Sequence, residues 1–253
     1  MISVFVLHMR QMLADRRAAA LLLFVALPLA VSLLLRFASD IQHETSREVS
    51  TGYLFMMYPQ VMCELLALLY GSTLLGAELE AQTLGYLFTR PLARWRIVVA
   101  KYAATVATLI VPVSASLYFS WVAIGSPGDG ARLLGGVWLG VVGSLVVYSS
   151  IFLLLGALIP ARAMVLGLIY AMVEFALSFV PAVLNTFTVT YHLRTVVAHA
   201  SGMEVQAELR GVLSGDSVPL AVLALALMAC LGLAGACWTV SVREYLGTKA
   251  EGA

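Results

Sequence analysis

LLGGVWLGVVGSLVVYSSIFLLLGALI, residues 133–159, contains no Asp, Glu, Lys or Arg and is long enough to cross a lipid bilayer. About 20 apolar residues in a helix span the roughly 30 Å of hydrocarbon. The run is continuously apolar rather than alternating, which favours a helix over a barrel strand. Five further stretches are similarly long and apolar, with at most one charged residue each: 18–37, 56–76, 102–124, 164–184 and 218–241. The sequence therefore predicts an all-α, polytopic membrane protein with six transmembrane helices.

The composition agrees with a chain that lies in lipid. Hydrophobic residues make up 61% of the 253 residues and charged residues 11%, whereas a soluble domain carries about 25% charged residues. The net charge of +1 gives no reason to expect nucleic-acid binding. Cys63, Cys230 and Cys237 lie in apolar runs without the spacing of a disulfide framework or a metal site. We expect no metal and no cofactor on this chain.

The basic residues predict the orientation. With both termini inside the cell, the inner segments hold ten Lys and Arg residues and the outer segments five, in agreement with the excess of positive charge found in cytoplasmic loops. The inner set is Arg10, Arg16, Arg17, Arg90, Arg94, Arg96, Lys101, Arg162, Arg243 and Lys249, and the outer set is Arg36, Arg47, Arg132, Arg194 and Arg210.

Three regions follow from these spans. Residues 1–17 have an apolar helical face, which predicts an amphipathic helix in the cytoplasmic interface; a simple extension of the first span is the alternative. Residues 18–241 form a single six-helix domain, with Pro160 ending the fourth span, and residues 242–253 form a cytoplasmic tail.

The segment 77–101, between the second and third spans, carries most of the functional information. A short helix over about 78–88 would present an apolar knob between acidic and basic residues. The knob is Leu84, Leu87 and Phe88; the acidic residues are Glu78 and Glu80; the basic residues are Arg90, Arg94 and Lys101. Such a knob suits docking into a groove on a soluble partner. An ordinary loop anchored at the headgroups by Trp95 is the alternative.

The order of residues in this segment resembles the corresponding loop of ABC-2 type exporter permeases. The matching pattern is Glu-x-Glu-x-x-Thr-Leu, then a proline followed by an arginine, then a lysine. The matching positions are Glu78, Glu80, Thr83, Leu84, Pro91, Arg94 and Lys101. The six spans, the N-terminal helix and the long outer segment before the last span also resemble that family.

The resemblance implies a function and its partners. It implies that the loop is a coupling helix resting on a separate ATPase subunit, present in two copies, and that two permeases, identical or closely paralogous, pair around a central path in a bacterial inner membrane. ATP and Mg²⁺ would bind the ATPase. This chain contains no Gly-x-x-x-x-Gly-Lys-Ser/Thr phosphate loop, so we expect it to perform no covalent chemistry.

Two carboxylates lie within the predicted spans. Glu64 is about eight residues, roughly 12 Å, below the outer end of the second span, and Glu174 about ten residues, roughly 15 Å, below that of the fifth. Because a charged group costs about 2.5–3.5 kcal/mol at a helix centre, matched depths predict a polar belt along a substrate path, with Tyr170 as a further candidate. The alternative is a protonated Glu hydrogen-bonded to Tyr70, Tyr148 or Tyr170 for helix packing.

Two weaker features lie on the outer side. Gly136, Gly140 and Gly143, with Gly135 and Ser144 beside them, would allow close helix packing within the chain. The segment 185–217 is neither polar enough for a free loop nor apolar enough to span, which predicts short re-entrant or surface helices. Its His192 and His199 are better explained as interfacial residues than as metal ligands.

The sequence is also compatible with two other functions. An ion-driven secondary transporter would use Glu64 and Glu174 as coupling sites, but the repeated halves typical of that class are not visible. An intramembrane enzyme would need a nucleophile or metal set at one depth, yet all four histidines lie outside the spans.

Overall fold

The computed structural model describes residues 2–14, 17–39, 52–74, 94–125, 130–178, 183–202 and 217–242. Within these ranges the chain is 94% helical and contains no strand. Two short 3-10 turns occur, at Pro160–Arg162 and Val183–Phe187. The helices are α1 Ile2–Ala14, α2 Arg17–Ser39, α3 Gly52–Gly71, α4 Arg94–Ala123, α5 Ala131–Leu158, α6 Ala163–Leu177, α7 Val189–Ser201 and α8 Val218–Val242.

Six of these helices are long and apolar enough to cross a membrane, which confirms the predicted number of spans. Their bounds are Ala19–Phe37, Gly52–Gly71, Trp95–Ala123, Ala131–Leu158, Pro160–Leu177 and Val218–Val242. The predicted stop at Pro160 is also confirmed, because α5 ends at Leu158 and a 3-10 turn begins at Pro160.

The predicted bounds of three spans are wrong. The second span covers Gly52–Gly71 rather than 56–76, the third begins near Trp95 rather than at 102, and the fifth covers Pro160–Leu177 rather than 164–184. The third is longer because Lys101 is accommodated inside the bundle, where its Nζ lies 3.5 Å from the carbonyl oxygen of Leu74. The fifth ends at Leu177, and Ser178 forms a turn whose amide donates to the carbonyl oxygen of Glu174.

Helix α5 occupies the centre of the bundle and packs against α3, α4, α6, α7 and α8. In the most apolar parts of α3, α4 and α5, 56–61% of the residues are buried, against 17–22% in α2, α6 and α8. The second group exposes large side chains such as Leu34, Met172 and Leu231. Apolar outer surfaces of this kind are compatible with contact with lipid.

Exposed aromatic residues lie near both ends of the bundle. Trp95 begins the third span and Trp238 lies in the last turns of α8, while Tyr118 and Phe119 lie near the opposite end of α4. Trp95 and Tyr118 are separated by roughly 35 Å of helical rise, which is close to the distance between the two interfaces of a bilayer. Tryptophan and tyrosine are enriched at those interfaces.

A wide π turn interrupts α3 at Met57–Met62. The amide of Cys63 donates to the carbonyl oxygen of Tyr58, five residues earlier. Pro59 has no amide hydrogen to continue the regular pattern, and its carbonyl oxygen accepts a 2.6 Å hydrogen bond from Ser144 of α5. The turn places Gln60 inside the bundle.

Helix α7 packs against a stripe of glycines on α5, as the small residues there predict. A Cβ atom on Gly136 would lie 2.5 Å from the amide nitrogen of Ser201, and one on Gly140 would collide with Val197. Gly143 faces Leu193 at 3.1 Å, whereas nothing lies within 4 Å at Gly135. The glycines therefore allow this 13-residue helix to lie directly on the backbone of α5.

The N-terminal helix α1 packs against α4. Its Met12 is buried, and His8 Nε2 lies 3.2 Å from Thr105 Oγ1. The placement of α1 in the membrane interface stays a prediction.

Candidate functional site

A buried polar cluster lies where α3, α5, α6 and α7 meet. At its centre is Glu174, in the last turn of α6 and 3% exposed. Its Oε1 accepts hydrogen bonds from the Tyr148 hydroxyl at 2.9 Å, the Thr190 amide at 3.0 Å and the Thr190 hydroxyl at 3.2 Å. Three donors therefore converge on this one carboxyl oxygen.

The start of α7 provides two of these donors. Thr188 caps the helix, with its hydroxyl oxygen accepting from the amide of Tyr191, and the Thr190 amide in the first turn is left for Glu174. Amides at a helix N-terminus carry partial positive charge and favour an anion. The last turn of α6 is thus joined to the first turn of α7 by a carboxyl group.

One helical turn further along α7, Arg194 makes a second connection. This residue is 5% exposed, and its guanidinium donates to the carbonyl oxygen of Ser178 at 2.9 Å and to Gln60 Oε1 at 3.0 Å. It therefore joins α7 to the end of α6 and to the π turn of α3. Burial lowers the pKa of Arg194 from its ordinary value, and the nearby Tyr148 opposes this shift.

Glu64 faces the same cluster from α3. The side chain is 6% exposed and lies close enough to Glu174 for the two carboxyl groups to repel each other. Tyr148 and Tyr170 interact electrostatically with both carboxyl groups. The three predicted path residues, Glu64, Glu174 and Tyr170, are therefore brought together.

The reason for this proximity differs from the one predicted. Counted from the helix ends, Glu64 lies twelve residues, about 18 Å, from Gly52, while Glu174 lies only three residues, about 4.5 Å, from Leu177. The two carboxyl groups meet because α6 ends within the bundle and α7 continues the packing beside it. A hydrogen bond from Tyr148 to Glu174, the alternative explanation for that residue, is confirmed.

No protein-family model, curated protein or solved structure matches this chain.

Three residues of the cluster were not predicted as functional: Gln60, Thr190 and Arg194. The spacing of Thr190 and Arg194 puts them on one helical face together with Val197 and Ser201, all of which are buried. Polar residues in the middle of an otherwise apolar helix face can be recognised in a sequence. The charge distribution, however, uses Arg194 only as one of the outer basic residues.

Most of the predicted coupling residues lie outside the described residues: Glu78, Glu80, Thr83, Leu84, Leu87, Phe88, Arg90 and Pro91. Arg94 begins α4, which continues without a break to Ala123.

Lys101 is 3% exposed and lies two turns inside α4. Burial and the charge of Lys101 together lower the pKa of His8 to about 4, so His8 is neutral at physiological pH. Lys101 therefore interacts electrostatically with His8 of α1 and lies beside the Leu74 carbonyl just after α3, in addition to any role at the segment 77–101.

The two histidines of α7, His192 and His199, do not form part of a metal site in the described part of the chain. His199 Nδ1 lies 3.0 Å from the carbonyl oxygen of Thr195, and burial lowers the pKa of His192. Among the residues that the structure describes, no group of three or more His, Cys, Asp and Glu could hold a metal ion.

Proposed function

We propose that this chain is the membrane-spanning permease subunit of an ABC-2 type exporter, working as a dimer with a separate ATPase. The observation that carries the proposal is the residue order of the segment 77–101. An acidic pair at Glu78 and Glu80 precedes Thr83-Leu84, and Pro91 and Arg94 follow before Lys101. The segment is charged, contains an apolar knob and is predicted to face the cytoplasm, as a docking element for a soluble partner must.

The architecture supports the same proposal. Six apolar helices are present, and a short helix, α7, lies among the other helices before the last span. The predicted family arrangement has six spans and an outer segment of this kind in the same place. The multi-pass character is clear from the helices, and a bacterial inner membrane is the location that the proposal implies.

The sequence indicates which tasks of the exporter this chain and its partner would perform. Without a phosphate-loop motif in its sequence, it would rely on the partner subunit to bind ATP and Mg²⁺. The permease would contribute the path, and its contact with the ATPase would transmit the conformational change. Glu64, Glu174 and Tyr170 are the candidates for polar groups beside that path.

Charge reversal in the coupling segment tests the proposal. We expect tagged protein purified from its native membrane to carry Mg²⁺-dependent ATP hydrolysis through its bound partner. Glu78→Arg or Glu80→Arg should abolish that activity or lose the partner, because a reversed charge at a docking surface opposes complementary charge. The measurement is ATPase activity per mole of permease, together with the subunit content of the complex.

Glu48→Arg is the matched control, since it makes the same change in a segment predicted to lie outside. It should leave both activity and subunit content unchanged. Full ATPase activity in the Glu78→Arg complex would remove the coupling helix from this segment, and the absence of any ATPase from active protein would refute the exporter proposal.

A further inference from the structure

The start of α4 and the end of α8 lie side by side at the end of the bundle that is predicted to face the cytoplasm. The Sγ atom of Cys237 in α8 is 3.9 Å from the carbonyl oxygen of Trp95 in α4. Each helix exposes a tryptophan here: the Trp95 side chain is 47% exposed and that of Trp238 is 71% exposed. Because an indole ring combines an apolar body with a polar N–H group, tryptophan favours the interface between lipid and water. The two rings therefore indicate the depth of the lipid headgroups on neighbouring helices.

An exposed positive charge lies beside these rings. The guanidinium carbon of Arg96 is 5.3 Å from the centre of the Trp95 ring, which is within the range of a cation–π contact. Arg96 is exposed, and its side chain makes no hydrogen bond or ion pair within the described part of the chain. The carboxyl groups in that part belong to Glu64 and Glu174, which are both buried. No described carboxyl group therefore balances the charge of Arg96 on this surface.

The neighbouring surface, further from the end of the bundle, is apolar on both helices. One and two turns before Trp238, α8 exposes Ala234 and Leu231 on the same helix face. About two turns after Trp95, α4 exposes Ala103. A positive charge at the level of the tryptophans and an apolar surface beyond it match the two parts of a phospholipid, whereas a free phosphate ion would contact only the charged part.

We infer that Trp95, Arg96 and Trp238 form a binding site for the headgroup of an anionic phospholipid, whose acyl chains lie on the exposed faces of α4 and α8. The phosphodiester supplies the negative charge and the acceptor oxygens that a guanidinium group binds. A zwitterionic headgroup carries an additional positive charge, which weakens its attraction to Arg96. Such a lipid binds whether or not an ATPase drives transport, so the site is independent of the proposed function.

Native mass spectrometry of the purified full-length protein tests this site. The protein is released from phosphatidylcholine nanodiscs that contain an increasing share of phosphatidylglycerol, and the lipids that stay bound are counted. We expect phosphatidylglycerol to be retained in preference to phosphatidylcholine. Arg96→Gln should weaken this retention about fivefold, the contribution of one basic side chain near a charged surface. Trp238→Leu should also weaken it, because leucine keeps the apolar contact but lacks the interfacial indole N–H.

Arg162→Gln is the matched control, since it removes the same charge from the exposed turn between α5 and α6. This turn lies at the same end of the bundle, because Ala157 of α5 belongs to one apolar cluster with Val98 of α4 and Val240 of α8. The control should retain phosphatidylglycerol as the unaltered chain does. Unchanged retention in Arg96→Gln, or equal losses in Arg96→Gln and Arg162→Gln, would overturn the site. Displacement of the bound phosphatidylglycerol by inorganic phosphate would overturn its assignment to lipid.

Discussion

Glu64 and Glu174 show how two residues of the same type acquire different surroundings. Glu174 meets three donors because α6 ends beside the exposed amides at the start of α7. Glu64 lies in the continuous helix Cys63–Gly71, whose amides are already hydrogen-bonded, and its Oε1 meets no donor in the described part of the chain. The amides at the start of a neighbouring helix therefore decide which of the two carboxyl groups is hydrogen-bonded.

Removing the hydroxyl of Tyr148 tests the importance of the Glu174 contacts. We expect Tyr148→Phe to lower the free energy of unfolding by about 0.5–2 kcal/mol, the range found for buried hydrogen bonds between membrane helices. Thermal unfolding of the purified protein in detergent measures the change. Tyr118→Phe is the control: its ring is half exposed, so a change within about 0.5 kcal/mol is expected. Equal effects of the two substitutions would show that the Tyr148 hydroxyl does not support Glu174.

At the scale of the element, α7 combines two kinds of contact. It is too short to cross the bilayer, since 13 residues rise only about 20 Å. Its apolar face lies on the glycine stripe of α5, while Thr190 and Arg194 connect it to α6 and α3. Packing and polar contacts act on the same helix face, so a shift of α7 would disturb both.

The glycine stripe provides a sharp test of this packing. In Gly136→Ala the new methyl group would overlap the backbone of Ser201, and we expect a loss of about 1–3 kcal/mol in stability from overpacking. Gly135→Ala makes the same change one residue away, in open space. It should be neutral or stabilising by up to about 1 kcal/mol, because alanine favours the helix. Comparable unfolding temperatures for the two variants would contradict the close contact between α5 and α7.

At the scale of the whole molecule, the helices are divided between centre and periphery. α5 lies within a ring of other helices, and α2, α6 and α8 expose most of their surface. The polar cluster is therefore enclosed by protein on the sides formed by α3, α5, α6 and α7. The distribution of basic residues predicts that α7 lies towards the outer surface and Lys101 towards the cytoplasm.

Cysteine labelling in whole cells tests this orientation. In a variant that lacks Cys63, Cys230 and Cys237, Ser217→Cys at the exposed start of α8 should react with a membrane-impermeant maleimide. Gln82→Cys, in the coupling segment, should react only after the membrane is permeabilised. The reverse pattern would invert the topology and exclude cytoplasmic docking by the segment 77–101.

The central span was predicted to within two residues at each end, 133–159 against Ala131–Leu158. Its length and lack of charge leave no other way to satisfy the backbone in lipid. The ends of the third and fifth spans were wrong because each depends on a neighbour: Lys101 lies inside the bundle beside Leu74, and α6 ends beside α7. The hydropathy of a segment carries no information about contacts between helices, so it could not predict these ends.

Apolarity and length are properties of each segment alone, so the class of protein, its six spans and the stop at Pro160 follow from the order of residues. The polar cluster is different, because Gln60, Glu64, Tyr148, Glu174 and Arg194 come from four separate helices. Which of these side chains meet depends on where α6 ends, on the π turn of α3 and on the distance at which glycine lets α7 lie on α5. Packing between helices brings these distant residues together, and it leaves one carboxyl oxygen of Glu64 and one of Glu174 without a donor.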